Sequence, residues 1–102
     1  MKRYHIHIPL DVERTIIAQV MHIAEDSIDR ALEWEDRLRF AIREIGLFPN
    51  QCAVDEEASR RYGDEVRKLV FERTYLIFYS VNEPARGIDV LHFRHGAQLP
   101  PP

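Results

Sequence analysis

The apolar positions of this 102-residue chain change their spacing along its length, and each spacing marks a different kind of element. Near the start, Tyr4, Ile6 and Ile8 alternate with two histidines, which is the period of a strand with one buried face. Between residues 16 and 45, apolar residues recur three and four positions apart, as on one side of a helix. From residue 66 onward, Val, Ile, Phe and Tyr are concentrated in short runs between polar turns, which is typical of strands.

The helical segment is predicted to contain two helices. Asp11 is the expected N-cap of the first helix, and Asp26 or Ser27 caps the second, whose apolar stripe ends before Gly46. The short link between the two helices predicts an antiparallel hairpin. Trp34 is expected at the edge of this hairpin, where its ring shields the core.

Three strands are predicted after a polar and acidic segment at residues 50–64, which the pattern leaves open between a loop and a short helical turn. They run from residues 66 to 71, 76 to 81 and 88 to 95, with turns at 72–74 and 82–87. The middle run is apolar on both faces, so it should be the central strand. The predicted fold is α+β, in the order β-α-α-β-β-β.

The hairpin is expected to cover one face of an antiparallel sheet that includes the N-terminal strand. The opposite face should then be open and form the binding surface. The length of the chain fits one domain over residues 1–102, with no repeats and no linker.

Composition narrows the range of functions only moderately. The net charge is −3, but residues 1–59 carry 7 Lys or Arg against 12 Asp or Glu, net −5, whereas residues 60–102 carry 7 against 5, net +2. A mildly basic sheet could meet nucleic acid or an acidic peptide, although ordinary surface charge explains so small an excess equally well. The absence of a long apolar run, of a secretory signal and of paired cysteines favours the cytoplasm and no membrane.

Basic side chains gather at the ends of the predicted strands. The candidate target- or phosphate-binding residues are Arg67, Lys68, His92 and Arg94. Leu91 and Phe93 are expected to face the helices, so His92 and Arg94, which alternate with them, should face the open side. Either Arg67 or Lys68, at the start of the second strand, should face the same way. Such a face could bind phosphate or support in-line RNA cleavage, although arginines on an exposed sheet more often only keep it soluble.

Two histidines and one cysteine give no stronger chemical signal. His5 and His7 share one strand face at a spacing that can chelate zinc, but no third ligand of matching type is near in sequence. Cys52 has no basic neighbour that would favour a thiolate. No nucleotide-binding glycine motif is present. We therefore expect neither a metal nor a cofactor.

Several motifs together resemble the RelE/ParE family of bacterial toxins over nearly the whole chain. They are the helix hairpin ending in Leu47-Phe-Pro49, the approach Gly63-x-x-Val-Arg67, the strand Tyr75-Leu-Ile-Phe-Tyr79 and the ending Arg94-His-Gly-Ala97. The resemblance implies a toxin of a type II toxin–antitoxin module, whose small antitoxin wraps it with a C-terminal segment. RelE-like members cleave messenger RNA in the ribosomal A site, whereas ParE-like members inhibit DNA gyrase by binding.

The chain departs from the RelE-like pattern at Leu76, His92 and Gln98, where many relatives carry arginine. A leucine cannot stabilise a developing phosphorane, and loss of one such charged contact typically costs ~10²–10³-fold in rate. The resemblance therefore favours a non-enzymatic, ParE-like gyrase inhibitor that is neutralised by an antitoxin.

Two alternatives stay open. One is a ribosome-dependent messenger RNase, for which the candidate catalytic residues are Arg67, Tyr79, Arg94 and His95. The other is an inactive relative that still binds an antitoxin. In each case, an isolated chain is expected to expose an apolar patch and to self-associate.

Overall fold

A four-stranded sheet brings together residues near both limits of the described range in a computed structural model, which describes residues 3–96. The strands are β1 (His5–His7), β2 (Arg67–Phe71), β3 (Tyr75–Asn82) and β4 (Gly87–His95), in the order β1-β4-β3-β2. β2, β3 and β4 form an antiparallel meander with β3 inside the sheet, as predicted.

β1 lies beside β4 and runs parallel to it, so the prediction of an entirely antiparallel sheet is wrong at this edge. The direction follows from the connections. The helices and the segment after them return the chain so that β2 enters in the same direction as β1. Two tight turns then reverse the chain twice, and β4 points the same way again.

Two long helices, α1 (Leu10–Ala24) and α2 (Ile28–Ile45), form the predicted hairpin on the first face of the sheet. The Ser27 hydroxyl accepts a hydrogen bond from the Arg30 N–H (3.2 Å), so Ser27 is the cap of α2. α1 begins two residues earlier than predicted. Pro9 occupies its N-cap position and Asp11 lies in the first turn, so the prediction of Asp11 as cap is wrong.

The main core lies between the hairpin and the sheet. It is built from Val12, Ile16, Trp34, Leu38, Ile42, Phe71, Ile77, Val90 and Phe93. Trp34 is only 4% exposed and meets the rings of Phe71, Tyr75 and Phe93 edge-on. The prediction of an edge position for this tryptophan is therefore wrong, because the aromatic residues of three strands surround it.

The segment at residues 50–64 contains a short helix, α3 (Glu56–Tyr62), which decides the alternative that the sequence left open. The Asp55 carboxylate accepts a hydrogen bond from the Ala58 N–H (3.0 Å), and Gly63 ends the helix with φ 71°, a left-handed conformation that glycine adopts without strain. Ala58 then packs with Val66 and Phe78. Phe78 is 6% exposed, so the expectation that the second face is open is wrong where α3 covers it.

A β-bulge changes one predicted side-chain direction. Phe78 pairs with His92 and Tyr79 with Val90, which leaves Leu91 as the extra residue in β4. Leu91 packs against the second-face cluster rather than the hairpin, so its predicted direction is wrong, whereas Phe93 lies in the main core as expected.

Some sequence predictions concern residues outside the described range. Ala97, Gln98 and the prolines at 100–102 lie beyond residue 96. No helix within residues 3–96 is long and apolar enough to cross a bilayer.

Candidate functional site

The second face of the sheet, opposite the α1–α2 hairpin, brings together most of the predicted binding residues. Lys68, His92 and Arg94 occupy the strand positions that alternate with residues facing the hairpin. α3 adds Arg61, a basic residue that the sequence analysis did not select. These four residues form what we call the second-face basic cluster.

His92 and Arg94 sit against an aromatic surface supplied by Phe78. The guanidinium carbon of Arg94 lies 5.6 Å from the centre of the Phe78 ring, and the His92 ring lies 6.1 Å from it. Partial burial lowers the pKa of His92, and the charges of Arg94 and Arg61 lower it further. The imidazole is therefore held in its neutral form near pH 7, when it can both donate and accept a hydrogen bond.

Carboxylates balance part of the positive charge in this cluster. The Lys68 ammonium lies 3.6 Å from Asp55, and Arg61 lies 3.3 Å from Glu57. The first pair ties the start of α3 to β2, and the second stabilises α3 internally. In each pair the carboxylate neutralises a cation that could otherwise bind a phosphate. Because affinity for nucleic acid grows with the number of phosphates neutralised, this face is a weak electrostatic match for RNA.

A small depression marks the junction between α3 and the sheet. Its lining residues are Asp55, Glu57, Ala58, Arg61, Tyr62, Phe78, His92 and Arg94. It offers about 40 Å³ of space, close to the volume of a single water molecule. The depression is too small for a base or a sugar, so a partner would contact this face as a surface.

The contribution of α3 was missed because the helix carries no clear apolar stripe. Signals for it were nevertheless present, since Asp55 is a good N-cap residue and Gly63 is a typical C-terminal residue at the right separation. A helix between them would have placed Ala58 toward the sheet and Arg61 one turn away on a neighbouring side.

Tyr79, a candidate catalytic residue, has a structural role on the first face. Its side chain is fully buried, and its hydroxyl donates a hydrogen bond to the Pro49 carbonyl (2.8 Å). Burial and a hydrogen bond with Cys52 raise its pKa well above the ordinary value. A phenol that stays protonated and out of solvent can neither remove a 2′-hydroxyl proton nor meet a substrate.

The Arg67 side chain likewise forms structural hydrogen bonds, in its case with the segment that precedes α3. Its guanidinium donates hydrogen bonds to the carbonyls of Cys52 (2.6 Å) and Asn50 (3.3 Å), and it lies 3.5 Å from the Glu65 carboxylate. The side chain is only 18% exposed. Of the two adjacent basic residues that begin β2, the one on the second face is therefore Lys68.

His95 lies at the end of β4 on the same side as the hairpin. Its ring meets Tyr75 edge-on at 5.3 Å, in a cleft that also includes His22 and Arg30. The sheet therefore separates Arg94 from the other three candidates for catalysis, and Tyr79 is buried besides. The four residues proposed for RNA cleavage are not assembled into one site.

No metal centre is indicated within the part of the chain that the structure describes. His5 and His7 are exposed on β1, and no group of three or more His, Cys, Asp or Glu side chains between residues 3 and 96 is placed to hold an ion. Among the described residues, the two histidines therefore have no further ligand that would complete a zinc site.

Comparisons with known proteins do not assign this chain to a family. No protein-family model matches the chain, and a search of curated proteins finds no relative. The residues themselves and the family resemblance of their motifs are therefore the basis for a function.

Proposed function

We propose that this protein is the toxin of a type II toxin–antitoxin module that acts in the cytoplasm by binding DNA gyrase, in the manner of the ParE-like proteins that its motifs resemble. Binding is favoured over RNA cleavage because the candidate catalytic residues are separated from one another. Arg94 lies on the second face, whereas Tyr79 and Arg67 are held by the backbone of residues 49–52 on the first. In-line cleavage needs a proton acceptor and a charge stabiliser at the same phosphate.

The second-face basic cluster is the surface that we assign to target binding. It combines a cation over an aromatic ring, a neutral imidazole and two salt-bridged cations next to the exposed Tyr62. Arginine and aromatic residues are the types that contribute most to protein interfaces. The balanced charge favours a protein target over the RNA of the ribosome.

The proposal is tested by adding purified protein to a gyrase supercoiling reaction. We expect inhibition at micromolar protein and growth arrest on expression in bacteria. Replacing Arg94 by alanine should weaken inhibition about tenfold, which corresponds to one lost interface contact of about 1.4 kcal/mol. The matched control is Arg14→Ala, which removes an exposed cation from α1 and should change nothing.

Two other results would overturn the proposal. Cleaved messenger in a translation extract, with supercoiling unaffected, would favour the ribosome-dependent RNase. Neither inhibition nor cleavage by folded protein would favour an inactive relative that retains only its antitoxin.

A further inference from the structure

Four aliphatic side chains lie exposed on the outer side of the α1–α2 hairpin, away from the sheet. Ile17 and Met21 are one turn apart on α1, and Ile28 and Leu32 are one turn apart on α2. Each is between 47% and 68% exposed, so the described part of the chain leaves about half or more of each side chain uncovered. We call these four residues the hairpin patch.

The two pairs lie side by side because α1 and α2 are antiparallel and an ion pair fixes their register. The Glu13 carboxylate lies 2.9 Å from the Arg39 guanidinium, and this pair marks a point at which the two helices are level. About two helical turns nearer the loop, Met21 comes level with Leu32. The four side chains therefore form one patch, and contiguous exposed apolar patches on soluble proteins commonly mark interaction surfaces.

Unlike charges border the hairpin patch on its two helices. Arg14 lies one turn before Ile17 on the same side of α1, whereas Asp29, Glu33 and Asp36 share one side of α2. These four charged residues are exposed, and none of them forms a salt bridge within residues 3–96. A surface that covers the patch should therefore be apolar at its centre, acidic over α1 and basic over α2.

We infer that the hairpin patch binds a second copy of this chain, with α1 of each copy packed on α2 of the other about a two-fold axis. This arrangement places the acidic side of each α2 over the α1 of the other copy, with Arg14 of each copy beside Asp36 of the other. Met21 of each copy then packs against Leu32 of the other. Pairing of α2 with α2 is disfavoured, because it would bring the acidic residues of the two copies together.

The area of the hairpin patch predicts a weak dimer. Four partly exposed side chains supply less than the ~800 Å² that each partner buries in a standard interface, so the charged borders must contribute to the contact as well. We expect a dissociation constant on the order of 10 μM.

The dimer would leave the proposed target surface uncovered. The sheet lies between the hairpin and the second-face basic cluster, so the two copies present their clusters on opposite sides of the assembly. Target binding by each copy therefore does not depend on the dimer, and the two proposals can be tested separately.

Sedimentation equilibrium of the full chain tests the inference. The apparent mass should rise from that of one chain, 12.1 kDa, toward twice that value between micromolar and millimolar protein. Met21→Glu would bury a charge in the interface and should weaken dimerisation about tenfold or more. Phe48→Glu introduces the same charge at another exposed apolar residue, beyond the end of α2, and should leave dimerisation unchanged.

Charge exchange tests the arrangement of the helices. Arg14→Asp should weaken the dimer by bringing two carboxylates together, and Asp36→Arg should weaken it by bringing two guanidinium groups together. A chain that carries both substitutions should regain most of the parent affinity. Circular dichroism of each variant should match the parent, since every substituted position is exposed, and this comparison separates a lost contact from a lost fold.

Several results would overturn the inference. They are a monomer at millimolar protein, a dimer that Met21→Glu does not weaken, equal weakening by Phe48→Glu, and no recovery in the doubly substituted chain. Because sedimentation has no gyrase or growth readout, failure of this inference and failure of the proposed function are distinguishable.

Discussion

The two faces of the sheet are covered by helices of very different extent. The hairpin on the first face has helices of 15 and 18 residues, whereas α3 on the second face has 7. The first face buries the aromatic and aliphatic main core, and the second buries a small cluster around Ala58, Val66 and Phe78. Burial of apolar area is the main stabilising term in folding, so the first face supplies most of the stability.

The candidate site residues of the two faces differ in what holds their side chains. On the first face, Arg67 and Tyr79 are held by backbone carbonyls of residues 49–52. On the second face, His92 and Arg94 rest against one aromatic ring beside solvent. The buried polar residues of the first face therefore have a structural role, whereas His92 and Arg94 lie closer to solvent. Under the proposed function, these two second-face residues are the ones that contact the target.

The largest expected effect comes from a cavity in the first face. Leu38 is fully buried in the main core, so Leu38→Ala should lower the free energy of unfolding by about 3 kcal/mol. The control is Phe40→Ala on the same helix, where the side chain is 57% exposed and the loss should stay within about 0.5 kcal/mol. Urea unfolding measures both. Similar losses in the two variants would contradict the assignment of the core to this face.

The next effect separates a structural tyrosine from a catalytic one. Tyr79→Phe removes the donor to the buried Pro49 carbonyl and should cost about 1–2 kcal/mol of stability. Tyr62→Phe, in which the hydroxyl lies on an exposed ring of α3, should cost nearly nothing.

The same variant also has a functional readout. Growth arrest or gyrase inhibition by folded Tyr79→Phe should equal that of the parent, because the hydroxyl does not reach solvent. A selective loss of activity with unchanged stability would show that the hydroxyl takes part in the reaction, and would favour the RNase alternative.

Most of the architecture could be predicted because periodicity alone determines it. The helix hairpin, the meander and the central position of β3 all follow from apolar spacing. The direction of β1 does not, because the alternation of Tyr4, Ile6 and Ile8 is the same in a parallel and an antiparallel pair. The bulge at Leu91 also leaves no periodic signal, since it is a single extra residue in one strand.

The site was harder to predict because contacts distant in sequence decide it. Alternation required that one of Arg67 and Lys68 face the second side, but it could not say which. The carbonyls of Asn50 and Cys52 fix Arg67 on the first side, and those residues are 17 and 15 positions away. Tyr79 was selected by its motif, and its buried bond to a residue 30 positions away explains why it is structural.

The smallest expected effect is a dependence of stability on pH through His92. Burial lowers the pKa of this imidazole in the folded state, with Arg94 and Arg61 adding to the shift and Asp11 opposing it. In the unfolded chain the value should return to about 6.5. Between these two values the unfolded state binds more protons than the folded state, so stability falls as pH decreases.

Urea unfolding between pH 8 and pH 5 would measure this contribution. It should be fully present above about pH 6.5 and decline below it. His92→Gln should flatten that decline. If His92→Gln followed the parent curve, the imidazole would be as well solvated in the folded as in the unfolded state. α3 would then not cover His92, and the second face would be more open to solvent than the packing of α3 on Phe78 implies.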